Sequence, residues 1–266
     1  MTIFKLLRAA DAFTMVNAAL GFLAITYISD HKYALAEALL LGAVIADGLD
    51  GLVARRFGGG KESLGDYLDI MADYLSFCVA PAILFYQLHF DVAAAPSATL
   101  PQDALVGVAA GLFVLFGLLR LARHVAKSGP QAGRFAGLPT TGAGFFVVLL
   151  VALGGVGDLA AAALVALLAV LMVTEIPYPK VRGALAGASG ALVAAPALVL
   201  LALPQGDAVR NAVLLVALAG ASAYAASGVA LTLARVPPAP DRQGAEGGAE
   251  GAPDNTQEVD PDSGSA

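Results

Sequence analysis

Four aspartates stand out by type and spacing. The stretch Asp47-Gly48-Leu49-Asp50-Gly51 continues through Ala54-Arg55, and nine residues later Gly65 opens a second stretch that carries Asp69 and Asp73. Residues three or four apart share one face of a helix, so Asp47 pairs with Asp50 and Asp69 pairs with Asp73. Gly51 and Ala54 continue the first acidic face and Gly65 the second, so neither face carries bulk. Four carboxylates at close quarters repel one another unless cations neutralise them. Oxygen-only ligands favour hard ions such as Mg²⁺ or Mn²⁺. Two such ions, roughly 3.5–4 Å apart, suit phosphoryl chemistry. The space left by the small residues fits a backbone-hugging substrate such as a nucleotide diphosphate. The plainer alternative is that these acids pair with Arg55, Arg56 and Lys61 at a membrane surface.

The elements that must position these residues are membrane helices. Of 266 residues, 58% are hydrophobic and only 14% are charged, with a mean hydropathy of +0.77, against about a quarter charged in ordinary soluble domains. A span needs about 20 mostly apolar residues. Eight stretches qualify, at 10–29, 33–54, 65–88, 103–126, 138–156, 158–176, 184–204 and 208–234. The expected fold is an all-α integral membrane protein, a bundle of about eight transmembrane helices with an active-site cavity facing the cytoplasm. Intramembrane carboxylates are costly and therefore functional candidates. Lys5 and Arg8 precede an apolar stretch without a small-residue cleavage site, so the first span is expected to be retained. Cys78 stands alone in an apolar run and reads as a small hydrophobe.

Charge sets the orientation and the domain boundary. With the amino terminus placed in the cytoplasm, 13 of the 15 Lys and Arg residues fall on the cytoplasmic side, leaving only Lys32 and Arg210 outside. A multi-pass protein of the cell membrane follows, with both termini and the active site cytoplasmic. The net charge of −6 belongs to residues 237–266, where seven acids meet Arg242 alone. Residues 1–236 form a charge-balanced membrane domain, and 237–266 read as an acidic, disordered tail. Nucleic acid is not an expected partner.

The pattern Asp47-x2-Asp50-Gly51-x2-Ala54-Arg55-x9-Gly65-x3-Asp69-x3-Asp73 resembles the complete signature of the CDP-alcohol phosphotransferase family. The resemblance implies an integral membrane enzyme that moves a phospho-alcohol group from a CDP-linked donor to an acceptor hydroxyl and releases CMP. It implies two divalent metal ions held by Asp47, Asp50, Asp69 and Asp73, with Asp73 also the general base. Gly51 and Arg55 would contact the CDP part, and Ala54 and Gly65 would permit its approach. Asp11, Thr14 and Asn17 on the first helix, on a stripe that continues to Gly21, are candidates for the nucleotide side.

Three further segments resemble the serine-accepting branch of that family. They are Arg120-Leu121-Ala122-Arg123, then Phe135-Ala136-Gly137-Leu138-Pro139-Thr140, and Pro177-Tyr178-Pro179. Thr141-Gly142-Ala143 stands where the branch often has proline and alanines. Serine brings a carboxylate, which in a low-dielectric cleft needs a guanidinium partner. Arg120, Arg123, Arg134 and Lys180 are the candidates, with His124 a weaker one. Pro177 and Pro179 are expected to end a helix. The expected substrates are L-serine and a CDP-activated lipid, either CDP-archaeol or CDP-diacylglycerol. Five Lys against ten Arg, with the acidic tail, lean toward salt adaptation and CDP-archaeol. Glycerol 3-phosphate or inositol phosphate is the alternative acceptor, and a membrane metal-ion transporter is the alternative of another class. Small-residue helix faces would allow a homodimer.

Overall fold

A computed structural model describes residues 9–57, 64–89, 100–126, 134–179 and 184–234. Helix α1 spans Ala9–Ser29 and α2 spans Tyr33–Phe57. Next come α3 (Leu64–Asp73), a π-helical segment (Tyr74–Val79) and α4 (Ala80–His89), which together make one 26-residue rod. Helix α5 (Leu100–Ala126) precedes the short strand β1 (Arg134–Ala136), then α6 (Thr140–Leu153), α7 (Asp158–Val173), strand β2 (Pro177–Pro179), α8 (Ala184–Ala202) and α9 (Ala208–Leu233). Counting the rod as one span, each of the eight expected stretches is helical. Among the described residues, four helical stretches are long and apolar enough to cross a membrane by themselves, namely Asp11–Ser29, Leu64–His89, Ala104–Ala126 and Ala208–Leu233. Helices α6 and α7 and residues Ser189–Ala202 of α8 are shorter and apolar. The protein is an all-α, multi-pass membrane protein. In lipid, helices satisfy their own backbone groups, which is why continuous apolar runs translate so directly into spans.

Helix α2 is the exception in composition, because Glu37, Asp47, Asp50, Arg55 and Arg56 break its apolar run. It is still one 25-residue helix, sheltered between α1 and α8. The core around it holds Phe77, Phe85, Phe113, Leu149 and Met172, all essentially removed from solvent.

The rod widens into its π-helical segment directly after Asp73. Such wide turns are uncommon and tend to occur at functional sites. Three glycines from three helices close on it. A Cβ at Gly21 of α1 would overlap the Ser76 side chain, and one at Gly117 of α5 would overlap Cys78. At Gly144 of α6 it would stand 2.7 Å from the Phe77 carbonyl oxygen. Ser76 Oγ also donates to the Asn17 carbonyl at 3.0 Å, tying the segment to α1. The small residues here let three backbones approach the segment that follows Asp73.

Arg210, expected on the external side at the start of the last span, lies in the first turn of α9 and is 1% exposed. Its Nη2 is 3.8 Å from Glu37 Oε2 of α2, and Glu37 is almost equally buried. The pair joins α9 to the helix that carries two of the aspartates. Removing one partner leaves an uncompensated buried charge, at a cost of about 3–5 kcal/mol. Glu37→Ala is therefore expected to lower the melting temperature in detergent sharply. The double replacement Glu37→Met with Arg210→Met should recover most of the loss, and equal melting points for wild type and Glu37→Ala would show that the pair carries no stability.

Candidate active site

The acidic residues converge where α1 begins, α2 ends and the rod begins. Carboxylate oxygens of Asp47, Asp69 and Asp73 lie within 4.8 Å of one another. Asp50, one turn along α2, lies outside that tightest group but its charge acts on all three. The two faces read from the spacing thus do meet. Gly65, buried at the start of α3, adds no side chain beside them.

Uncharged donors from neighbouring helices fix the carboxylates. Thr14 Oγ1 of α1 donates to Asp50 Oδ2 at 3.0 Å, and Asn17 Nδ2 donates to Asp73 Oδ1 at 3.2 Å. Thr141 Oγ1 of α6 donates to Asp47 Oδ2 at 3.2 Å. Among the described residues Asp69 Oδ1 is buried without a hydrogen-bond partner, and so is Asn17 Oδ1. A buried carboxylate oxygen with no protein donor keeps its lone pairs free to meet a cation, and neutral donors orient the others without cancelling their charge. The donor set is all oxygen, so the residues present fit hard divalent cations.

Beside this cluster lies a buried guanidinium. Arg120, near the end of α5, is buried, donates from Nη1 to Thr140 Oγ1 at 3.1 Å, and acts electrostatically on Asp73 and Asp47. Arg123 is employed differently. Its Nη1 donates to the Val173 carbonyl at 2.8 Å, and its Nη2 faces the carbonyls of Ala136 (2.8 Å), Met172 (3.1 Å) and Thr174 (3.1 Å). These are the orphan acceptors at the end of α7 together with one from β1. Gly137, at φ +80°, lies against the same guanidinium, where any side chain would collide with the Met172 and Thr174 carbonyls. Arg123, read from the sequence as an acceptor ligand, is thus occupied by backbone on four sides.

The motif segments after α5 and α7 join in a two-stranded antiparallel sheet, pairing Arg134 with Pro179, Phe135 with Tyr178 and Ala136 with Pro177. Pro177 and Pro179, expected to end a helix, stand beyond its end instead, since α7 stops at Val173 with Thr174 as its C-cap. They form a strand, which a pair of prolines does not announce. Helix α9 seats this sheet. The Tyr178 ring lies against Gly228, its hydroxyl donates to the Ala225 carbonyl at 3.1 Å, and Tyr224 donates to the Pro179 carbonyl at 3.2 Å. Tyr224 also borders Gly142.

Of the other candidates, Asp11 and Thr14 are buried on the first turns of α1, with Asn17 one turn further. Thr14 and Asn17 are engaged by the aspartates. Gly51, Ala54 and Arg55 lie on the last turns of α2, where the side chains of Ala54 and Arg55 fall outside the described residues. The same holds for the Arg134 side chain, for Lys180 and for the tail from 237. His124 is exposed on the last turn of α5. Sequence reasoning missed Thr140, Thr141 and Tyr224 as site residues. The signals for them were a pair of adjacent hydroxyls opening α6 and a lone tyrosine within the small-residue run Gly220–Gly228.

A sequence model of the CDP-alcohol phosphatidyltransferase family matches residues 7–177, from the start of α1 to β2. The chain belongs to this family. All four aspartates of this CDP-alcohol phosphatidyltransferase, together with Arg120 and β1, fall inside the match, whereas α8 and α9 follow it. Among curated proteins it is 36% identical over 174 residues to the archaetidylserine synthase of Methanothermobacter thermautotrophicus, covering 65% of this chain and 70% of that one. It is 33% identical over 181 residues to the CDP-diacylglycerol–serine O-phosphatidyltransferase of Helicobacter pylori, covering 65% and 72%. The protein of the same name from Methanocaldococcus jannaschii is 33% identical over 176 residues, covering 66% and 76%.

Proposed function

We propose that this protein transfers the phosphatidyl-type group of a CDP-activated lipid to the hydroxyl of L-serine and releases CMP. The observation that carries the reading is the meeting of Asp47, Asp69 and Asp73 beside a buried arginine at one end of a membrane bundle. The names of the similar proteins support serine as the acceptor and leave both archaeol and diacylglycerol open as the lipid.

In this reading Asp73 takes the proton of the serine hydroxyl as its oxygen attacks the lipid-bearing phosphorus. The new P–O bond forms as the bond to CMP breaks, and the electron pair leaves with CMP. Two divalent ions, Mg²⁺ or Mn²⁺, held by Asp47, Asp50, Asp69 and Asp73, would offset the negative charge on the pyrophosphate oxygens. Gly51 and Arg55 hold the CDP part, with Ala54 and Gly65 leaving it room. Asp11 lies on the same side. Thr14 and Asn17 act through Asp50 and Asp73. Arg120 pairs with the serine carboxylate, its guanidinium being the one among the described residues whose charge acts on Asp73. Arg123 positions the end of α7 and the sheet, and Arg134 and Lys180 are further acceptor contacts in this reading. The site end of the bundle faces the cytoplasm, following the bias of Lys and Arg.

Purified protein given CDP-lipid and Mn²⁺ is expected to form CMP on addition of serine, to stop with EDTA and to resume with excess Mn²⁺. Metal uptake into liposomes with no CMP formed would replace the reading with a transporter.

A further inference from the structure

The first three residues of α6 touch three different helices. Thr140 meets Arg120 of α5, Thr141 meets Asp47 of α2, and Gly142 faces the Tyr224 ring of α9 at 3.6 Å from where a Cβ would stand. Successive residues on a helix point about 100° apart, so adjacent hydroxyls necessarily serve different neighbours. Here one neighbour is a carboxylate of the acidic cluster and the other is the buried guanidinium beside it.

We propose that Thr140 and Thr141 divide the site between them as positioning residues. Thr141 orients Asp47 for divalent-cation binding, and Thr140 orients Arg120 for the carboxylate of the acceptor. The proposal rests on the functional reading above for its acceptor half. Its cation half rests only on the geometry of the acidic cluster.

Thr141 Oγ1 donates to Asp47 Oδ2, which leaves Oδ1 clear of that donor for a cation shared with Asp69 and Asp73. A neutral donor of this kind fixes the rotamer of a ligand, and its loss typically changes metal affinity by about 10–100-fold. Thr140 Oγ1 accepts from Nη1 of Arg120, and a guanidinium carries four further N–H donors with which to meet a planar carboxylate. Pro139 stands at the entry to α6 and supplies no side-chain cap, and the hydrogen bonds of the two hydroxyls run to other helices.

The test compares Thr141→Val and Thr140→Val with their serine counterparts, Thr141→Ser and Thr140→Ser, in the full-length protein. Two quantities are read: the Mn²⁺ concentration giving half of the Mn²⁺-induced thermal shift, and the KM for serine in CMP release. Thr141→Val should raise the first about tenfold and leave the serine KM within about twofold. Thr140→Val should raise the serine KM about tenfold and leave the Mn²⁺ titration unchanged. Each serine variant should restore wild-type behaviour, which separates a missing hydroxyl from a damaged fold. Both valine variants moving both quantities together would overturn the division, as would either leaving its own quantity unchanged. If wild type forms no CMP with serine while Thr141→Val still shifts the Mn²⁺ titration, the serine reading fails and the cation half stands.

Discussion

Asp73→Asn is expected to lower kcat for serine-dependent CMP release by about 10³-fold or more while the protein still folds. The size comes from two losses at one atom group, since general-base assistance alone is worth about 10²–10⁴-fold and one carboxylate charge leaves the cation site as well. The fold should survive because the change is isosteric. The new amide keeps an oxygen to accept from Asn17 Nδ2, and the π-helical segment that follows is held by Gly21, Gly117, Gly144 and Ser76 rather than by the carboxylate. Single-turnover CMP release and thermal melting in detergent, measured on one preparation, separate the two. Near-normal turnover would remove Asp73 from the chemistry. A collapsed melting point would show that its charge is structural.

Arg120→Ala is expected to raise the KM for serine by about 30-fold or more, the equivalent of at least about 2 kcal/mol for truncating one partner of a buried hydrogen-bonded charge pair. Arg120→Lys should recover only part of this, because a point charge replaces a planar fork. Arg123→Ala should behave differently. It strips a donor from four backbone carbonyls at the end of α7 and in β1, so its main effect should be on melting temperature and on yield. A raised serine KM in Arg123→Ala with unchanged stability would return that residue to the acceptor pocket.

The contrast between these two arginines marks where sequence alone runs out. Arg120 and Arg123 are three apart on one helix, and the sequence places both at an acceptor. Only the place where α7 stops decides that Arg123 meets carbonyl oxygens and Arg120 does not. The aspartates were readable because helical spacing by itself puts Asp47 with Asp50 and Asp69 with Asp73, whatever surrounds them. The eight spans were readable because lipid demands long apolar runs, and even the charged α2 keeps its helix. The β1–β2 sheet was not, since three-residue strands bearing two prolines carry no strand pattern. The burial of Arg210 was hidden too. A cation at a helix start reads as solvated until its partner Glu37 is found on another helix.

Helix α9 shows the same limit from the other side. By hydropathy it is one more span, but Gly228 and Tyr224 support β2 and its tyrosine. Its small residues suggested no role in the sequence because their partner, Tyr178, is 46 to 50 residues away in a segment without helical or strand periodicity.

The acceptor decides the account. Purified protein in detergent, with CDP-lipid and Mn²⁺, is offered equal concentrations of serine and glycerol 3-phosphate, and the lipid product is identified by mass. A lipid carrying phosphoserine, formed with one CMP for each molecule, is the predicted result. A phosphoglycerol-type product with serine left untouched would contradict it and would move Arg120 to the recognition of a phosphate.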